Sequence, residues 1–138
     1  MQQVVIYTDG GARNNPGPAA AGVVIFDGST EVIELKQFLG SQTNNWAEYE
    51  AVAIALAEAK RLGLAGRPIE MRLDSKLVVE QISGAWKIKE PALKVQAAKV
   101  RGLLFDFPQN RFVHIPREQN GEADRLVNEA LDEAASST

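Results

Sequence analysis

Val4-Val5-Ile6-Tyr7-Thr8-Asp9-Gly10-Gly11 decides how this chain is read. Residues suited to a buried strand run directly into a carboxylate, and two glycines follow it. Val4 to Tyr7 are apolar at successive positions, so both faces of that strand are covered, as in the middle of a sheet. An acid at Asp9 then stands at a strand's carboxyl end, beside backbone open enough for a phosphate or a metal to come close. The stretch marks a central strand and puts Asp9 at the heart of a candidate active site.

Outward from it, Arg13-Asn14-Asn15-Pro16-Gly17-Pro18 is dense in turn formers, and Ala20 to Phe26 reads as a second strand. Asp27-Gly28 closes a hairpin, and the alternation from Glu31 to Leu39 suits a third strand nearer the edge. Asn45-Trp46-Ala47-Glu48 opens a helix that runs to about Leu62, where Gly63 stops it. Trp46, Tyr49, Val52, Ala53, Leu56 and Ala59 leave that helix little polar face, so it lies deep against the sheet. A fourth strand, Ile69 to Asp74, follows Pro68. Helices over Ser75 to Ile82 and Pro91 to Leu104, a fifth strand over Arg111 to Ile115 and a last helix capped by Asn120 complete the order.

The pattern predicts an α/β fold: a five-stranded mixed sheet, three antiparallel strands then two parallel, with helices on both faces. A right-handed crossover through the first helix sets the fourth strand parallel to the first and beside it. Asp9 and Asp74 then end adjacent parallel strands, at the crevice where open α/β sheets bind ligands.

With 138 residues and 45% hydrophobic content the chain encloses one ordinary core, so a single domain over 1–138 is expected, with 136–138 as a frayed tail. Zero cysteines exclude a disulfide framework and a thiolate metal site. The N-terminus has neither a basic flank nor a long apolar run, and no stretch approaches the roughly 20 apolar residues of a membrane span. A soluble, cytoplasmic protein with no membrane association is expected. A net charge of -3 argues mildly against nucleic-acid binding, though distribution matters more than the sum.

Two further acids stand at helix starts. Glu48 lies in the first turn of the buried helix, and Asp124 borders the stripe of Ala123, Leu126, Val127, Ala130, Leu131 and Ala134 on the last. Each acid taken singly has a plain structural account. Glu48 completes a capping box with Asn45, Asp74 caps the next helix, and Asp124 is a first-turn acid favoured by the helix dipole. Convergence changes the balance, because four acids gathered on one rim repel and raise one another's pKa unless cations join them. Oxygen-only ligands favour Mg²⁺, with Mn²⁺ as a substitute, and a pair of such ions suits phosphodiester hydrolysis.

Tyr7-Thr8-Asp9-Gly10-Gly11 with Asn15-Pro16-Gly17-Pro18, Thr43-Asn44-Asn45-Trp46-Ala47-Glu48, Asp74-Ser75, and Pro116-Arg117-Glu118-Gln119-Asn120-Gly121-Glu122-Ala123-Asp124 together resemble the type 1 ribonuclease H family, in its single-domain prokaryotic form. The resemblance spans nearly the whole chain. It implies endonucleolytic cutting of the RNA strand of an RNA–DNA hybrid by two metal ions, without sequence specificity, leaving 5′-phosphate and 3′-hydroxyl ends. It also implies that Asp9, Glu48, Asp74 and Asp124 are catalytic metal ligands, Asp9 bridging both ions and Asp124 holding the one that activates water. Gly10 and Gly11 resemble the backbone that approaches the RNA, and Asn15, Asn44 and Asn45 the minor-groove contacts. Thr43 resembles part of a DNA-phosphate pocket and Trp86 the aromatic lining the DNA channel, and Ser75 belongs with these substrate contacts. The logic is that a hybrid is told by 2′-hydroxyls on one strand and deoxyribose on the other.

Two departures from the family pattern stand out. Many members carry a His in a flexible loop before the last Asp, whereas His114 here alternates within an expected strand and reads as structural. Arg117 occupies the loop instead, and an arginine contacts phosphate or solvent and cannot act as a base. The chain also lacks a strongly basic protrusion. Gly84 to Arg101 nonetheless holds Lys87, Lys89, Lys94, Lys99 and Arg101 against Glu90, a local balance of +4, with Trp86 beside the bases. Setting the four metal-site acids aside leaves the chain at +1. The expected partner is the hybrid alone, bound by a monomer. Rival readings are a non-catalytic hybrid-binding or protein-interaction module, a nuclease for double-stranded RNA, and a strand-transfer enzyme on the same scaffold.

Overall fold

The computed structural model describes residues 3–137, so Thr138 of the expected tail lies outside the described residues. Three antiparallel strands come first: β1 (Val4–Ala12), β2 (Gly17–Asp27) and β3 (Thr30–Gln42). Helix α1 (Asn44–Arg61) crosses to β4 (Ile69–Leu73), which pairs parallel with β1. Helices α2 (Lys76–Ser83) and α3 (Pro91–Leu103) lead to β5 (Asn110–His114), parallel with β4, and α4 (Gly121–Ser136) closes the chain. The sheet order is β3-β2-β1-β4-β5, with β1 central as its apolar run requires.

Side chains alternate across β1, so successive residues face different helices. Val4 and Ile6 join Val23, Ile25, Leu56, Met71 and Leu73 in a large core beneath α1. On the opposite face α4 packs Val127, Ala130 and Leu131 against Ala20 in a much smaller cluster. The small residues of β2 let α4 come close: a Cβ on Gly22 would lie 2.3 Å from the Ala123 carbonyl oxygen. Over β4 and β5 on α4's side of the sheet, long polar side chains take the place of a helix. Arg72 donates to the Tyr7 hydroxyl and to Glu70, each at 2.6 Å, and Arg111 lies 3.6 Å from Glu70.

Local details differ from the sequence reading in four places. β1 does not end at Asp9. Its parallel pairing with β4 stops at Thr8 opposite Leu73, while its antiparallel pairing with β2 continues through Asp9 opposite Gly22 to Ala12. Asn45 does not cap α1, because Thr43 occupies that position and its hydroxyl accepts the Trp46 amide at 3.2 Å. Asn120 stands at the N-cap of α4, but its side chain makes no capping bond and instead donates to the Thr8 carbonyl at 2.8 Å. At the other end α4 runs through Ser136, whose hydroxyl donates to the Glu133 carbonyl.

Candidate active site

Asp9 is placed where β1 outruns β4, so the backbone beyond Leu73 has turned away and its carboxylate meets a gap at the rim of the sheet. Asp74 follows the last residue of β4. Ser75, not Asp74, caps α2 by accepting the Val78 amide at 3.3 Å, which leaves the Asp74 carboxylate to face Asp9. Glu48 arrives from the first turn of α1. Its capping-box explanation fails on geometry, since its carboxylate accepts the Gly10 amide of β1 at 2.9 Å instead of bonding within its own helix.

That bond needs β1 and α1 almost in contact. A Cβ on Gly10 would lie 2.3 Å from the Ala47 carbonyl carbon and 2.5 Å from the Glu48 nitrogen, so only glycine fits. The glycine expected to give open backbone serves tight packing here. As a result one oxygen from each of Asp9, Glu48 and Asp74 lies within 4.8 Å of the others. Asp124, on the first turn of α4, is close enough to hydrogen-bond Asp9, and it lines a groove with Asp9, Glu48 and Arg117. All four sequence-predicted acids therefore meet on one rim.

Their electrostatics follow from crowding and burial. Burial pushes the Asp9 carboxyl up to about 8, and the neighbouring charges of Asp74 and Asp124 add to it, against the Gly10 amide, which lowers it. Glu48 is raised well above the usual carboxylate range by burial and then by Asp9 and Asp74, with Arg117 pulling weakly the other way. Arg117 reaches Asp74 only at 3.7 Å and its side chain is 87% exposed, so it neutralises little of this charge. Clustered carboxylates without an internal counter-charge, offering oxygen donors alone, fit a hard divalent cation.

The other predicted residues scatter around this cluster. Asn15 accepts the Asn44 amide at 2.9 Å and Asn44 accepts the Ala12 amide at 2.7 Å, so both brace the β1–β2 turn against the start of α1. Asn14 in that turn is left-handed at φ 63°, and the Asn15–Pro16 peptide is cis. Gly11 lines the groove, and Thr43 and Asn45 are half-buried at the start of α1. Trp86 stands apart, 45% exposed, with the Lys76 amine 5.9 Å from its ring centroid. His114 is exposed at the end of β5. Two groove residues escaped the sequence reading. Asn128 lies one helical turn beyond Asp124, a spacing that could have found it, and Arg13 reaches across from the turn to Asn128 at 3.3 Å and Asp132 at 2.7 Å.

The family model described as "Reverse transcriptase-like" matches residues 7–130. A Mycobacterium tuberculosis protein named as bifunctional is 45% identical over 137 residues, 98% of this chain, and the chain spans 37% of that relative's length. The protein named ribonuclease H from Paracidovorax citrulli is 34% identical, with 97% of each chain covered. Among solved structures, LC11-RNase H1 in complex with an RNA/DNA hybrid superposes with a TM-score of 0.92 at 48% identity, covering 96% of this chain and 99% of that one. Among the described residues, no helix is long and apolar enough to cross a membrane.

Proposed function

This chain belongs to the type 1 ribonuclease H family, and from that premise we propose that it hydrolyses the RNA strand of RNA–DNA hybrids, leaving 5′-phosphate and 3′-hydroxyl ends. The observation that carries the reading is the convergence of Asp9, Glu48 and Asp74 on one point, with Asp124 against Asp9. These four side chains would hold Mg²⁺, or Mn²⁺ in its place, with Asp9 central, Glu48 and Asp74 on the leaving-group side and Asp124 on the side of the attacking water. When bound, a pair of such cations supplies the positive charge that favours a hydroxide nucleophile near neutral pH and stabilises the leaving oxygen.

The chain's own residues position everything else. The Gly10 amide fixes one Glu48 oxygen, so that carboxylate presents the other without a search of rotamers. Gly11 brings bare backbone to the RNA strand while Gly10 holds Glu48 in place, and Asn15, Asn44 and Asn45 offer amide groups to the minor groove. Thr43, Ser75 and Trp86 serve the DNA strand through phosphate and sugar contacts, and Arg117 meets a phosphate beside Asp74. Because all four acids come from one chain, the protein works as a monomer. The absence of cysteine suits the reducing cytoplasm.

Labelled RNA–DNA hybrid, duplex RNA and duplex DNA incubated with Mg²⁺ or Mn²⁺ test this reading, beside Asp9→Asn and a chelator control. Only the RNA of the hybrid is expected to be cut, and either control stops it. Equal cutting of duplex RNA, or full activity of Asp9→Asn, would overturn it.

A further inference from the structure

One buried polar side chain has no part in the carboxylate cluster, yet it touches the helix that bears Glu48. Tyr49 is the next residue along α1. The 100° helical step turns it away from the rim and into the core, where it is fully buried. Its hydroxyl donates to the Gln81 amide oxygen on α2 at 2.7 Å.

Gln81 is itself 6% exposed and spends its remaining polar atoms on other elements. Its amide nitrogen donates to the Lys87 carbonyl at 3.5 Å, at the long end of hydrogen bonding. The main-chain carbonyl of residue 81, which any residue there would offer, accepts the Arg101 guanidinium of α3 at 3.2 Å and the Gly84 amide at 3.2 Å. The segment from 84 to 90 carries Trp86, Lys87 and Lys89 and has neither helix nor strand. Its bonds back to α2 are few: Gly84 to Gln81, Trp86 to the Glu80 carbonyl at 3.0 Å, and the Gln81 side chain to Lys87. A glutamine amide so buried would cost stability if its two side-chain partners, the Tyr49 hydroxyl and the Lys87 carbonyl, were withdrawn, and a hydrocarbon side chain of equal size would fill the same space. Retaining an amide at this point needs a reason beyond packing.

We propose that Gln81 is a positioning residue: it ties the Trp86–Lys89 segment to the helix bearing Glu48, so that the substrate-gripping segment and the carboxylate cluster hold a fixed relation. The inference rests on the reading of that segment as a hybrid contact. It adds a dependence of hybrid affinity on a side chain that never meets the hybrid.

Gln81→Met keeps the shape and removes the hydrogen bonds, and Tyr49→Phe removes only the hydroxyl. Hybrid binding is measured by fluorescence anisotropy in chelator, where no cutting occurs, and amide hydrogen exchange is followed across residues 84–90. Gln81→Met is expected to weaken binding about tenfold and Tyr49→Phe about threefold, the double variant being no worse than Gln81→Met alone. Exchange at Trp86, Lys87 and Ile88 quickens in parallel, while kcat at saturating hybrid changes less than KM. A fall in melting temperature with binding and exchange unchanged would reduce Gln81 to a core residue and overturn the proposal. Wild-type protein that binds hybrid and fails to cut it would sink the nuclease reading and leave this one standing. Wild type that binds no hybrid would sink both, whatever the exchange.

Discussion

The two faces of the sheet hold their helices by different means. Beneath α1, Val4, Ile6, Val23, Ile25, Leu56 and Met71 form one large dry core, and Glu48 rides on it. Beneath α4 the apolar contact is small, Ala20 with Val127, Ala130 and Leu131, and ion pairs ring it. Arg125 pairs with Glu34 of β3 at 2.9 Å and Glu129 at 2.6 Å, Lys36 of β3 reaches Glu129 at 3.2 Å, and Arg13 reaches Asp132 at 2.7 Å. Glu48 therefore rests on the larger apolar core, and Asp124 on a smaller one, Ala123, Leu126, Val127, Ala130 and Leu131, edged by exposed ion pairs that salt can screen. The carboxylate cluster straddles a seam between a large apolar interface and a small one.

The contrast can be broken most directly in the cores. Leu56→Ala is expected to cost about 3 kcal/mol in urea unfolding, and Leu131→Ala about 2 kcal/mol, because its smaller cluster collapses more easily. Equal costs would erase the distinction. The neighbouring glycines of β1 sharpen it. Gly10→Ala, whose Cβ would strike the Ala47 backbone, should cost about 2 kcal/mol and depress kcat by lifting Glu48 away. Gly11→Ala, whose Cβ meets the Val127 side chain at 3.6 Å, should change stability by less than about 0.5 kcal/mol.

Proton linkage at the seam comes next in size. In chelator the folded protein keeps a proton on Asp9 up to about 8, whereas the unfolded chain releases it near 4. Stability of the metal-free protein therefore falls as pH rises from about 4 to about 8, with Glu48 acting in the same direction. Asp27 and Glu129, lowered by their Arg67 and Arg125 partners, act oppositely, below this window. Thermal melts should show a shallower slope for Asp9→Asn and for wild type with Mg²⁺; an unchanged slope in the variant would move the titration elsewhere. The smallest effect belongs to the surface: Arg125→Gln at low salt should quicken amide exchange in α4 and leave α1 untouched, and molar salt should erase the difference from wild type.

Much of this was legible before any coordinates. The apolar run into Asp9 located the central strand because a doubly covered strand has no polar face to hide, and the order of elements with right-handed crossovers put Asp74 beside it. Glu48 was ambiguous for a physical reason. An acid three residues past an Asn satisfies a capping box equally well, and only the 2.9 Å bond to Gly10 in another element removes that option. The length of β1 past Asp9 and the linkage of Tyr49 to Gln81 were not legible, since each depends on contacts distant in sequence, while Thr43 and Asn45 are both capping types two residues apart and only the local bond from the Trp46 amide chooses Thr43. Periodicity reports which face is buried, never which polar atom of a buried side chain finds which partner.

Arg72, Glu70 and Arg111, laid over β4 and β5 where α4 does not reach, have a consequence for the sheet's open border. A strand from another molecule that tried to add itself beyond β5 would have to strip water from the exposed Arg111 guanidinium before it gained a single amide pairing. The fold thus guards one flank with a hydrated charge on its edge strand, and an apolar replacement at Arg111 would make that flank more adhesive.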